Sequence, residues 1–267
     1  MTPEGERVQM RSVTIAVTFA MSASLLVGAA PRQTAGTQPD TLLHRAREWA
    51  GAAALGRVQS IVVTTHRSTA GEQYRLRLPS QFQTRYYARD ASAAFVPEAG
   101  FYTRNTLDGN AFWQKSNTPI PAEYADRARR GSTSAFVNIS LTFLLRVPPG
   151  LKVAMKALGA TTIAGLAGDA MVITDPIGKS TVFVFEPRTG ALIGYVDNTP
   201  ADGQIRNPTD HLVVRLEDFR EVAGIKFPFR AQERWEASGG ATPNTTVREV
   251  DSIETNTLAT TDFKQVK

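Results

Sequence analysis

Alternation of apolar and polar positions dominates the chain. In IKFPFRAQERWE, residues 225–236, the odd positions are Ile225, Phe227, Phe229, Ala231, Glu233 and Trp235. The even positions are polar apart from Pro228. Side chains two apart share one face of a strand, so the pattern predicts a strand with one buried side. Pro228 gives up a ladder donor and is expected at an edge, a bulge or a strand start. Similar patterns predict strands at 58–67, 72–79, 81–90 and 100–115, the last a hairpin turning at Asp108-Gly109-Asn110. After the middle of the chain, strands are predicted at 161–166, 169–175, 180–186, 191–198, 210–222 and 245–256. Turn signals punctuate them at Asp175-Pro176-Ile177-Gly178, Pro187-Arg188-Thr189-Gly190, Gly224 and Gly239-Gly240. TVFVFEP is apolar on both faces, as in a central strand covered from two sides.

The period changes in two places. Residues 41–54 carry a helical stripe of Leu42, Leu43, Ala46, Trp49, Ala50, Ala53 and Ala54, with Asp40 or Thr41 as cap and Gly56 as stop. In the middle, 121–130 is charged and helical in pattern, and SAFVNISLTFLLRV (134–147) is apolar nearly all round. A helix of that kind has to be covered on most sides, by protein or by a ligand. Residues 151–160 suggest one more short helix. The expected architecture is mainly β with α: a meander of antiparallel strands, a helix before them and a helical insert at about 121–158. Residues 41–267 fit one domain, since mainly-β domains commonly reach roughly 200–250 residues.

Before that domain, VTIAVTFAMSASLLVGAA (13–30) is an uncharged apolar run preceded by Arg11 and ending in small residues. Residues 1–30 are therefore expected to be a secretory signal or a retained N-terminal anchor, and 31–40 a linker. Either reading places the rest in the periplasm or otherwise outside the cytoplasm, with membrane contact through 13–30 if the segment is kept. The net charge of +5 comes without a dense basic cluster. Arg127, Arg129 and Arg130 read as a solvated helix face, and no nucleic-acid partner is expected. The absence of cysteine excludes disulfides, thiolate metal sites, a cysteine nucleophile and a lipidated N-terminal cysteine.

Catalytic signals are missing from the sequence. His44, His66 and His211 are not spaced as metal ligands, and no Gly-x-Ser-x-Gly or phosphate loop occurs. Glu217 and Asp218 are consecutive on a predicted strand, so they point to opposite faces. No enzyme activity, metal or cofactor is expected. What remains is apolar material: Phe82, Tyr86, Phe112, Trp113, Phe143, Leu144 and Tyr195, with Phe227, Phe229 and Trp235 of the first strand described. These side chains either form ordinary core or line a ligand cavity, with Phe143 and Leu144 contributed by a helical lid.

ALGRVQSI, TLDGNAFWQ and above all LVVRLEDFREVAGIKFPFRAQERW resemble the LolA-like superfamily. The most specific part is Asp218-Phe219-Arg220, Val222, Gly224-Ile225 and Phe227-Pro228. The resemblance implies a curved antiparallel sheet forming an incomplete β-barrel, plugged by helices, whose apolar pocket receives acyl chains. It implies a non-catalytic, exported bacterial carrier or sensor whose partner is a lipid, a lipoprotein or another acylated molecule. The alternative is a protein–protein interaction module of the cell envelope on the same scaffold.

Overall fold

The computed structural model describes residues 38–68, 70–88, 102–117, 120–121, 123–197, 211–236 and 244–265. The signal-like segment, most of the linker and the Gly239-Gly240 turn lie outside the described residues. Among the described residues, twelve strands form one antiparallel sheet: β1 (Ser60–Arg67), β2 (Ala70–Arg77), β3 (Gln81–Ala88), β4 (Tyr102–Asp108), β5 (Ala111–Ser116), β6 (Ala154–Ile163), β7 (Leu166–Thr174), β8 (Ser180–Phe185), β9 (Leu192–Asp197), β10 (His211–Val222), β11 (Ile225–Glu236) and β12 (Asn244–Thr255). Their spatial order is β5-β4-β3-β2-β1-β12-β11-β10-β9-β8-β7-β6. Two meanders therefore join where β1 pairs with β12. The outermost strands, β5 and β6, do not pair with each other, so the curved sheet stays open. Between them in sequence runs α3 (Glu123–Leu144), which packs against β2 to β5.

Three expectations need correction. Residues 154–163 form β6, an edge strand with alternating burial, where a short helix was expected. Ala, Met, Lys and Leu favour a helix locally, but pairing with β7 overrides that preference. Consequently the expected strand at 161–166 straddles the turn at Ala164 and Gly165, with β6 before it and β7 after it. The two helical stretches of the insert are one continuous helix of 22 residues. Finally, the first helix, α1 (Pro39–Ala50), ends at Gly51 and not at Gly56. Gly51 has φ +107, and a Cβ there would lie 2.2 Å from the carbonyl oxygen of Gly224. A short helical turn, α2 (Ala52–Leu55), follows it.

Gly224 belongs to the two-residue turn joining β10 and β11, where Ala223 (φ 52) and Gly224 (φ 80) are both left-handed. That is the hairpin geometry matching strand twist. Trp49 of α1 packs edge-on to Phe219 with ring centroids 5.0 Å apart, and the Lys226 ammonium lies 4.9 Å from the Trp49 centroid.

Pro228 lies inside β11, a central strand, yet its surroundings resemble an edge. The ladder between β11 and β12 covers Arg230 to Trp235 only, so Pro228 is paired solely with β10, opposite Phe219. Next to that pair, Asp218 and Phe229 are both missed by the ladder without a change of register, and Asp218 has φ 52. A strand segment that lacks a neighbour on one side behaves as an edge, where proline is tolerable.

Candidate functional site

Register fixes which side chains look into the hollow of the sheet. One row runs Thr246, Glu233, Val214, Tyr195, Phe183, Met171 across β12 to β7. Another runs Thr103, Tyr86, Glu72, Thr65, Val250 across β4 to β12. Two carboxylates thus sit in rows otherwise made of apolar, aromatic and threonine side chains. Between this face and the first half of α3 lies a cavity of about 500 Å³. Ala128, Gly131, Ala135 and Ile139 form its helical wall, and Leu212 and Trp235 form part of the sheet wall. The size lies within the usual range for small-molecule sites.

The cavity floor is ionic. Arg67 (β1) places Nη1 3.0 Å from Glu72 Oε1 and Nε 2.9 Å from Glu233 Oε2. Arg248 (β12) places Nη2 2.8 Å from Glu233 Oε1 and 3.4 Å from Glu72 Oε2. Its Nη1 donates to the Tyr74 hydroxyl at 2.7 Å, and that hydroxyl in turn donates to Glu72. Each guanidinium faces both carboxylates, and all four charged groups lie largely out of solvent. Burial alone would raise the Glu72 carboxyl; Arg248 and Arg67 outweigh it and hold the group below the usual carboxylate range. Burial pushes the Tyr74 hydroxyl well above its ordinary value and the Tyr86 hydroxyl up to about 12. For Arg248, burial opposes the charge, but Tyr74, Glu72 and Glu233 together keep it firmly protonated. These shifts move Glu72, Tyr74, Tyr86 and Arg248 away from neutrality. They are suited to fixed electrostatics and poorly suited to proton transfer near pH 7.

Two further polar ties hold α3 against the other half of the sheet. Ser134 Oγ donates to Asp175 Oδ2 at 2.5 Å, while Asp175 Oδ1 accepts the backbone N–H groups of Ile177 and Lys179 at 3.0 and 2.9 Å. Asn138 Nδ2 donates to Asp197 Oδ2 at 3.3 Å, and the same oxygen lies 2.9 Å from Lys179 Nζ. Asn138, Lys179 and Asp197 all line the cavity. Below the ionic floor is a second hollow of about 30 Å³, bounded by Thr142, Phe143, Tyr195 and Arg248. That is room for about one water molecule.

Tyr86, Tyr195 and Trp235 line the larger cavity, and Phe143 lines the small hollow, as does Tyr195. Phe82 is fully buried and stacked on Phe136, with centroids 5.2 Å apart. Phe227 is likewise fully buried, 6.3 Å from Phe143 between ring centroids. Leu144 is core. Phe229 packs at the margin of the core, with the Arg220 guanidinium 4.8 Å above its ring. Trp113 shares a register row with Thr106, Gln83 and Arg75, the face opposite Phe112 and Gln114. None of these last five borders either hollow. Four of these nine expected lining residues thus border open space, the other five pack elsewhere, and the larger cavity has a charged floor in addition.

Arg67, Glu72, Glu233 and Arg248 were not anticipated as site residues, although two of them left a signal. Glu233 falls on the apolar parity of β11, and Glu72 falls on that of Tyr74, Leu76 and Leu78. A carboxylate on a buried face demands a partner. Among the described residues, no group of His, Asp or Glu side chains is arranged to hold a metal ion.

No protein-family model matches the sequence, and no curated protein does. Among solved structures, the chain is similar to the LolA superfamily protein NE2245 from Nitrosomonas europaea, at 12% identity and TM-score 0.48, over 85% of this chain and 98% of that one. It is similar to a Vibrio parahaemolyticus domain described as an outer membrane lipoprotein-sorting protein, at 10% identity and TM-score 0.48, over 84% and 97%. A DUF1329 family protein from Desulfovibrio piger is similar at 10% identity and TM-score 0.39, over 85% and 98%.

Proposed function

We propose that the protein is a non-catalytic carrier or sensor that holds an amphipathic molecule, a lipid or another acylated compound, between α3 and the sheet. The observation that carries this reading is the cavity of about 500 Å³, with Leu212, Trp235 and Ile139 on its walls and ionic groups on its floor. Apolar walls shelter hydrocarbon at about 0.8 kcal/mol per methylene, and the polar floor gives a head group hydrogen-bonding partners. Export is part of the proposal, because residues 13–30 have the composition of a secretory signal.

Narrowing the cavity tests the reading. Ala135→Trp and Ala128→Trp fill it from the helix side, where neither alanine is part of an ionic contact. Uptake of a fluorescent acyl probe by the wild type, with loss in both variants at unchanged circular dichroism, supports the proposal. Uptake unaffected by filling the cavity sinks it.

A second reading is favoured by β6. It is the outermost strand, ten residues long with Lys156 as its sole charged residue, and Leu158 is 43% exposed. Such an edge can accept an extended segment of an envelope protein. Leu158→Lys combined with Ala160→Pro blocks that mode and leaves acyl uptake unchanged; loss of partner capture with these changes favours the second reading.

A further inference from the structure

We infer that the ligand enters head-first and that its head is uncharged and rich in hydroxyl groups, a glycosyl or polyol group seated on the ionic floor. This rests on the carrier reading and deepens it.

Charge balance is the first argument. Arg67 and Arg248 are each shared by Glu72 and Glu233, so two positive and two negative groups close on themselves. Lys179 and Asp197 form a further ion pair in the wall. An anionic head at the floor would meet two carboxylates, and a cationic head would compete with two guanidiniums. Either disturbs a balanced cluster in surroundings where unpaired charge is costly. A hydroxyl group adds without changing the balance.

Unused hydrogen-bonding capacity is the second argument. Tyr195, with its hydroxyl, lines the cavity, and among the described residues Arg248 Nε is a buried donor without a hydrogen-bond partner. Gln114 Nε2 donates to Asn105 Oδ1 at 2.7 Å, which leaves an amide oxygen on Gln114 and an amide nitrogen on Asn105. The wall therefore offers donors and acceptors side by side. A hydroxyl is both at once, whereas a phosphate oxygen only accepts and an ammonium only donates. Trp235 and Tyr86 supply aromatic surface for the carbon face of a sugar ring or polyol.

Arg127 marks the limit of the site. Among the described residues its guanidinium pairs with no carboxylate; it rests 5.1 Å above the ring of Tyr124, which is 44% exposed. Positive charge left uncompensated thus lies with the exposed half of α3 and not at the floor. An anionic head held there would be a different binding mode, which the experiment separates.

Calorimetric titration of the whole protein with four dodecyl amphiphiles, each below its critical micelle concentration, tests the inference. The tail is constant and the head is maltoside, glycerol ether, phosphate or methyl-capped octaethylene glycol ether. The maltoside and glycerol heads are expected to bind at least about ten-fold tighter than the polyether, which accepts but cannot donate. The stronger of the two identifies a glycosyl or a polyol head. Tyr195→Phe keeps the ring packed on Phe183; it is expected to weaken the hydroxylated ligands about five- to ten-fold and leave the polyether unchanged. Equal binding of all four, or tightest binding of dodecyl phosphate, overturns the head-group inference while the cavity reading stands. Failure of all four to bind a folded protein overturns both.

Discussion

Arg248 Nη2 lies 2.8 Å from Glu233 Oε1 on the neighbouring strand β11 and 3.4 Å from Glu72 Oε2 on β2. One guanidinium thereby links the two meanders across their junction. A closed set of buried ions is poor evidence of net stabilisation, because desolvation consumes most of the Coulombic gain. Removing a single member is a different matter. Glu233→Leu leaves Arg67 and Arg248 with one carboxylate between them and is expected to cost about 3–5 kcal/mol. Urea unfolding would read this as a lower midpoint at unchanged slope. A cost below about 1 kcal/mol, the value of an exposed pair, would mean that solvent reaches the cluster.

Acid stability follows from Glu72. Its folded value is depressed, burial being outweighed by Arg248 and Arg67. The unfolded carboxyl, titrating near the ordinary value of about 4.3, then takes up its proton first as pH falls. The stabilisation is fully present above that value and is lost as pH drops through it toward the folded one. Glu186 and Asp218 are shifted the same way, so the wild type alone is not diagnostic. The comparison with Glu72→Gln is: its unfolding free energy should fall less steeply between pH 5 and 3 than that of the wild type. Parallel curves would remove Glu72 from the acid response.

At the alkaline end the sign reverses. Burial, then Glu72, raises Tyr86 to about 12. Its contribution to stability is complete below the unfolded tyrosine value of about 10 and is lost as pH climbs from there through 12. Absorbance at 295 nm should show part of the tyrosine signal held back beyond pH 11, and Tyr86→Phe should reduce that late fraction. Full ionisation by pH 11 in a folded protein would contradict the buried placement.

Much of this fold was legible because its strands obey period two. The hairpin at Asp108-Gly109-Asn110 and the long pair β10 and β11 lie where alternation and turn residues put them. The edge strand β6 was hidden because AMKALGATTI is half exposed and built from helix formers, so only pairing with β7 decides its state. The site was less readable than the fold. Alternation says which residues face inward, but not which of those interlock and which border space. Phe227 and Trp235 share the odd-numbered positions of one strand; the first meets Phe143 of α3, and the second lies where the helix leaves a gap. Glu72 is far in sequence from Glu233 and Arg248, which lie on the paired strands β11 and β12, and only the β1–β12 junction brings it to them.

Backbone contact between α1 and the β10–β11 turn gives a sharper test of packing. Gly51→Ala would place a methyl 2.2 Å from the Gly224 carbonyl oxygen at φ +107. The strained backbone alone costs about 1–3 kcal/mol, and the clash adds to it because the neighbour is backbone. Gly109→Ala, at φ +60 with nothing within 4 Å, should cost only about 1–2 kcal/mol. Thermal unfolding of the two variants side by side checks the order; equal losses would mean that the turn moves away from the helix freely.

The same strand offers a final contrast, between Phe227 and Trp235. Phe227 is fully buried against Phe143, so Phe227→Ala should cost about 3–5 kcal/mol, and Phe227→Asp should prevent folding. Trp235 is partly exposed and faces the cavity. Trp235→Ala removes wall without opening a sealed void, so its stability cost should be about half that of Phe227→Ala or less, while acyl-probe affinity falls. Denaturant midpoints and probe binding, measured on both variants, separate packing from lining. A Phe227→Asp protein that stays folded and loses only uptake would reverse the assignment, making Phe227 the wall and the interlocked core the site.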